Sequence, residues 1–293
     1  MQAVKLNFPL AKSAGNLYQA QKNFPHSKTW VGQALGQVDL PAREDSLLGL
    51  AFSYDFSEKD APKVTETLSH FTSVDFSMGT FSGKVLAAML ASPLVELRLD
   101  FAALSKEDLE NLAKQESIET LWFTGASLRD EQLVHLGPLP KLTSLALKST
   151  ALSSRALELM SGAGFQSLRR LHLPANIDDQ GAEFLARGGS LITELDLSFS
   201  KISDAAGKAL ASLKLETLYL NDTAFGDAGL EQLKESPTLK VLFLNGSKIS
   251  DKGLTQLAEM PALEHLELRD TKITEMGAAR LRGKLKDCAV FGP

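Results

Sequence analysis

The sequence predicts an α/β solenoid, with a parallel sheet of about 11 short strands on one side, short helices on the other and a small β cap at the N-terminus. Three observations predict it. First, one pattern recurs ten times from Leu50 onward. Its second apolar residue serves as a marker: Leu50, Val74, Leu97, Leu121, Leu145, Leu171, Leu195, Leu218, Leu242 and Leu266. The spacings of 24, 23, 24, 24, 26, 24, 23, 24 and 24 residues keep register over most of the chain, as stacked units do when none can bury its apolar side alone. Second, each copy opens with strand alternation and continues with apolar residues at helical spacing. Third, 44% of the 293 residues are hydrophobic, enough for a buried interior, yet no apolar run has membrane-spanning length. Length alone would suggest two domains; the repeat argues instead for units stacked on one continuous core.

Residues 1–46 do not follow the repeat. Asn16–Gln21 and Trp30–Pro41 read as strands joined by a polar loop around Pro25. They form a cap over the first repeat, with Trp30 packed against it. Residues 47–284 hold the ten repeats of about 24 residues. In each, Leu-x-x-Leu-x-Leu makes a short strand whose second and third leucines face one side. A small polar residue five positions after the marker (Thr150, Asn176, Ser200, Thr223, Ser247, Thr271) bonds turn backbone. An apolar residue then re-enters the core: Leu128, Leu152, Ile177, Ile202, Phe225, Ile249, Ile273. Ser203, Ser250 and Thr274 are N-caps with an acid directly behind, and Ser57 with Asp60 and Ser105 with Asp108 are capping boxes. Pro237 and Pro261 stop their helices. The glycines of Asp-x-Gly (Gly181, Gly229, Gly253) recur at one repeat position and are structural. Residues 285–293 form a capping strand in which Cys288 takes a leucine position as a small buried hydrophobe. Helices are wider than strands, so the sheet must bend with its strands on the inner face.

The pattern Leu-x-x-Leu-x-Leu-x-x-Thr-x-Ile-[Ser/Thr]-Asp-x-Gly-Leu resembles the leucine-rich repeat, in its helix-bearing ribonuclease-inhibitor-like and cysteine-containing-like forms. The resemblance covers about residues 47–293 and implies a right-handed horseshoe with a concave sheet and convex helices. The segment from Trp30 to Pro41 is similar to N-terminal extensions of some bacterial leucine-rich-repeat proteins, which suggests a bacterial source.

Counting from the markers yields two inner-face columns. The central one runs Ala51, Asp75, Arg98, Trp122, Ala146, His172, Asp196, Tyr219, Phe243, Glu267. Two positions on come Ser53, Ser77, Asp100, Thr124, Lys148, Pro174, Ser198, Asn221, Asn245, Arg269. Their identities are free for recognition. Tyr219 and Phe243, with Phe199 at the strand end and Glu267, Arg269 and His265 on the next rung, make an aromatic patch with a charged rim. Trp122 with Arg98, beside Phe101, is a second candidate patch. Cross-strand aromatic pairs also stabilise sheets without any ligand.

No catalytic, cofactor or metal site is expected. His172 and Asp196 occupy adjacent rungs, but an open sheet face supplies neither oxyanion hole nor enclosure. His26, His70, His135 and His265 have no metal-ligand spacing, and one cysteine cannot make a disulfide framework. The net charge of -5, with acids and bases interspersed, disfavours nucleic acid and anionic membranes. The glycosylation-like Asn221-Asp-Thr223 and Asn245-Gly-Ser247 arise from the polar turn of the repeat. The expected function is a non-enzymatic module binding a protein or peptide on its concave face. The alternatives are a carbohydrate-binding or surface structural protein, with Trp122 and Tyr219 stacking on sugars, and a hydrolase using the His172–Asp196 pair. A monomer is expected, although an uncovered sheet can dimerise. No signal peptide is visible, so the chain is cytoplasmic if Met1 is native and exported if its start has been trimmed.

Overall fold

The computed structural model of the chain describes residues 3–10, 12–21, 24–41, 46–54, 56, 59–77, 83–137, 139–162 and 165–292. The chain divides into two compact units, Met1–Leu128 with His135–Leu142, and Arg129–Val134 with Thr143–Pro293.

The first unit begins with strands β1 (Ala3–Phe8), β2 (Gly15–Gln21), β3 (Phe24–Gln33), β4 (Gly36–Pro41) and β5 (Ser46–Phe52), followed by three-residue strands β6 (Ser73–Asp75), β7 (Glu96–Arg98) and β8 (Thr120–Trp122). Helices α1 (Ala61–Leu68), α2 (Gly83–Met89) and α3 (Lys106–Leu112) alternate with the short strands. From β5 to β8 the pairing is parallel, and Leu50, Val74, Leu97 and Leu121 sit side by side. The N-terminal strands join this sheet through β2, antiparallel to both β5 and β3. A separate ribbon, β1 with β4, lies on the helix side. There Thr67 Oγ1 donates to the Asn7 carbonyl at 2.6 Å, and the Phe8 and Phe71 rings sit 6.4 Å apart in the core.

Two expectations for this region are corrected. Pro25 lies within β3, not in a loop, and the break falls at Ala34–Leu35 before Gly36, whose φ is +65°. Proline is tolerated because β3 is the outermost strand and needs donors on one side only. Trp30 does not pack against the first repeat. It is 59% exposed on the open side beside Tyr18, its register partner, and its indole donates to Asn16 at 3.3 Å. Ser57 lies outside the described residues; Ser105 and Asp108 form the reciprocal capping box of α3.

The second unit holds β9 (Ser144–Ala146), β10 (Arg170–His172), β11 (Glu194–Asp196), β12 (Thr217–Tyr219), β13 (Val241–Phe243), β14 (His265–Glu267) and β15 (Ala289–Phe291). All pair in parallel, with Leu145, Leu171, Leu195, Leu218, Leu242, Leu266 and Val290 in line. Between them run α4 (Ser154–Gly162), α5 (Asp179–Arg187), α6 (Gly207–Ser212), α7 (Asp227–Leu233), α8 (Leu254–Glu259) and α9 (Glu275–Lys284). Markers and re-entering residues are at most 5% exposed, Val290 aside. Since Val290 pairs with Leu266, Cys288 falls two residues before the marker and not on a leucine position. It is only partly buried, in the turn before β15.

Three-residue strands make few ladder bonds, and the helix starts supply a second link. The aspartate of one repeat bonds the N-cap residue of the next. Asp179 accepts from Ser203 N at 2.8 Å and Oγ at 2.6 Å; Asp227 accepts from Ser250 at 2.9 and 2.6 Å; Asp251 accepts from Thr274 N and Oγ1, both at 2.8 Å. Where the next repeat has no hydroxyl, Asp204 accepts from Gly226 N and Gly229 N directly. The same hydroxyls of Ser203, Ser250 and Thr274 cap their own helices. The glycine of Asp-x-Gly makes room for this carboxylate: a Cβ on Gly253 would stand 2.6 Å from Asp227 Oδ1 and 2.9 Å from Leu230 Cδ1. At the turns, the Thr150, Thr223 and Thr271 hydroxyls donate to the carbonyl three residues back, whereas the Ser200 and Ser247 hydroxyls are buried without a hydrogen-bond partner and Asn176 is exposed.

Two glycine substitutions should therefore differ in sign. Gly253→Ala should lower unfolding free energy by about 1–3 kcal/mol through the forced shift. Gly283→Ala, in α9 with open space around it, should raise it by about 0.5–1 kcal/mol. Denaturant unfolding of both variants checks this.

Candidate functional site

In the second unit, residues one before, one after and three after each marker share the open face of the sheet. Tyr219 and Phe243, on β12 and β13, stand in stacked contact, with ring centroids 4.4 Å apart and planes 4° from parallel. The row continues through His265, 5.3 Å from Phe243, to Phe291, 5.0 Å from His265. Phe291 belongs to this row as the central-column residue of β15, a role hidden when Cys288 is read as its marker.

Phe199 stands apart, four residues after its marker, where Asp222, Gly246 and Asp270 also have left-handed backbone. Its φ is +66° and its side chain is 66% exposed, so it does not tuck into the turn. A bulky residue pays about 1 kcal/mol or more for that conformation, and Phe199 buries little in return.

Polar groups surround the stack. Glu267 accepts from Asn245 Nδ2 at 2.8 Å and lies 3.5 Å from His265 Nε2. The Asn245 bond, opposed by burial and aided by His265 and Arg269, holds the Glu267 carboxyl below its ordinary range. His172 Nε2 lies 3.4 Å from Glu194, and this contact lowers the Glu194 pKa. Burial, then the charges of Glu194, Asp196 and Glu267, raise the Tyr219 phenol, which stays protonated at neutral pH. Arg269 is exposed.

The column three after the marker is less free than expected. Asn221 Oδ1 accepts from Asn245 N at 2.9 Å, and Asn245 Oδ1 from Arg269 N at 2.8 Å. These asparagines tie one rung to the next, and Asn221 Nδ2 donates to Ser198. Strand alternation puts the column one before the marker on the same face. It adds Glu194 to the site and is the column on which His265, already expected in the patch, stands.

His172 is not set up as a catalytic base. Its two nitrogens face Glu194 and Asp196, the latter at 3.8 Å, and not a serine hydroxyl. Asp196 is held by Lys148 at 2.9 Å and by Ser198 N at 2.9 Å. Among the described residues, no group of three or more His, Cys, Asp or Glu could hold a metal ion, and no helix is long and apolar enough to cross a membrane. Burial and Glu264 push the Cys288 thiol up to about 11, away from nucleophilic use.

The first unit carries the other patch. Arg98 lies over the Trp122 ring at 4.9 Å, with its Nε 2.8 Å from Asp100. Phe101 is 73% exposed at φ +59°, its ring where a Cβ on Gly125 would fall. Arg98 covers one face of Trp122, and Phe243 one face of Tyr219.

A family model described as Leucine Rich repeat matches residues 190–211 and 235–258. Among solved structures, the chain is similar to an internalin (inlF) of Listeria monocytogenes strain 4b F2365, with a TM-score of 0.52 and 19% identity over 78% of this chain and 62% of that one. At that identity the likeness is one of fold, and the chain spans less than two thirds of the internalin's length. No curated protein matches the chain in sequence.

The depressed carboxylates set a pH dependence. Glu194 and Glu267 have folded-state pKa values below the ordinary 4.5, so the unfolded chain binds more protons, and their stabilisation is present above pH 4.5 and lost as pH falls through the folded values. Glu267→Gln should flatten the acid limb of a stability–pH profile; an identical limb would remove Glu267 from the account. Cys288 should react with an alkylating reagent on the order of a hundredfold more slowly than a free cysteine at mildly alkaline pH.

Proposed function

We propose that this leucine-rich-repeat protein is a non-enzymatic interaction module, and that a protein or peptide partner docks on the strand face of its second unit. The observation that carries this reading is the ring row Tyr219–Phe243–His265–Phe291, standing on the open face. Phe199, held exposed at a backbone conformation that suits glycine or aspartate, supports it. Rings on a rigid sheet lose little entropy on binding, and aromatic and Arg anchors dominate interface energetics. Glu267 and Arg269 form the polar rim. Trp122 and Arg98 make a second contact patch in the first unit.

The hydrolase reading loses support because His172 faces two carboxylates.

Capture from the native source with wild type and with Tyr219→Ala/Phe243→Ala, scored on partners lost from the double variant, tests the site. The pair should weaken a retained partner at least about tenfold, while unfolding free energy falls by no more than about 1.5 kcal/mol, the worth of an aromatic pair. Lys201→Ala, whose side chain is exposed, should leave both unchanged. Equal capture by wild type and double variant would remove the site assignment.

A further inference from the structure

The first unit contains a small cavity of mixed polar and apolar lining on its strand face that neither the repeat nor the proposed interface accounts for. Lys28 belongs to β3, four strands from β7 in sheet order, yet its Nζ lies 3.1 Å from Glu96 Oε1 and 6.0 Å from the Trp122 ring. Four strand spacings amount to about 19 Å in a flat sheet, beyond the reach of a lysine. The β2–β3 hairpin therefore curls back over the open face. The register shifts at Leu17/Tyr18 and Gln19/Gln21 are the irregularities that bend it.

Under this roof lies a cavity of about 100 Å³ lined by Tyr18, Lys28, Gly49, Ala51, Ser73 and Asp75. Its floor is small where the next rungs carry Glu96, Arg98 and Trp122. The lining is divided in charge. Lys28 has spent one of its three donors on Glu96. Asp75 Oδ1 accepts from Ser77 N at 2.8 Å and Oγ at 2.6 Å, but the nearest cation to Oδ2 is Arg98 at 3.9 Å. Ser73 Oγ donates to Glu96 Oε2 at 2.6 Å, so it presents lone pairs to the cavity. Lys28 is paired with Glu96 and Asp75 Oδ2 only loosely with Arg98, so the ammonium keeps two donors and the carboxylate an acceptor that a ligand spanning the cavity can use.

We propose that this cavity binds a small zwitterion of the α-amino-acid class, its ammonium on Asp75 Oδ2 and Ser73 Oγ and its carboxylate on Lys28 Nζ. The volume equals that of about three waters, which limits the ligand to the size of glycine, alanine or serine. Gly49 sets this limit: a Cβ there would sit 3.6 Å from Ser73 Oγ, an ordinary contact that fills space without forcing a shift.

The test is a titration of the full chain followed by the amide resonances of Gly49 and Ser73, with glycine as ligand and acetate and methylamine as single-charge controls. Saturable shifts with glycine, absent with either control and weakened at least about tenfold in both Gly49→Ala and Lys28→Met, are expected. No saturable response to glycine, an equal response to acetate or methylamine, or an unchanged glycine affinity in either variant would overturn it and leave a cavity that holds water.

Discussion

The aspartate that reaches from one repeat to the helix start of the next is the contact on which the second unit depends. Its strands are three residues long, and ladder bonds of that length resist little sliding. Asp179, Asp227 and Asp251 each seize both the backbone N–H and the hydroxyl of the following N-cap residue. One carboxylate thereby satisfies donors that a helix start leaves orphaned and fixes the distance to its neighbour. The Ser/Thr-Asp-x-Gly motif is contiguous in sequence but works between units. Its serine or threonine receives the previous aspartate, its own aspartate serves the next repeat, and its glycine admits the carboxylate coming from behind.

What stands on the strand face follows from this spacing. With helix starts tied on one side and markers paired on the other, side chains one after each marker repeat at strand separation. That is close to the thickness at which aromatic rings stack, so Tyr219 and Phe243 come into parallel contact. The asparagines two residues further on extend the same logic, each amide serving the backbone of the next rung. The asparagines are engaged with backbone, whereas the ring row and Phe199 leave side-chain surface on the open face.

The sequence pattern made the architecture legible because its signal is periodic. The marker leucines predicted pairing register within each unit, and the apolar residue after each turn predicted the core. Where periodicity lapses, legibility lapses too. The N-terminal strands carry no repeat, so nothing in the pattern shows that Trp30 stays off the first repeat or that Pro25 lies in an edge strand. In the last copy, Cys288 and Val290 both fit an apolar slot, and only pairing with Leu266 decides between them. The candidate patch was readable in Tyr219 and Phe243, but its extent was not. His265 is legible beside them, whereas Glu194 needs the strand alternation of the column one before the marker, and Phe291 needs the register of the last strand. The left-handed backbone at Phe199 is marked only by its register with Asp222, Gly246 and Asp270, because nothing local in Ser198-Phe199-Ser200 demands it. The curl that brings Lys28 to Glu96 is tertiary and leaves no mark in the local pattern.

The measurement that tests this account most directly is a double-mutant cycle between Asp227 and Ser250 by denaturant unfolding. The single variants Asp227→Ala and Ser250→Ala should each destabilise the protein. The double variant should cost less than their sum, with a coupling energy of about 1–2 kcal/mol for a hydrogen bond to a charged group. Additive losses, with no coupling beyond about 0.3 kcal/mol, would contradict the claim that this contact between repeats holds the register.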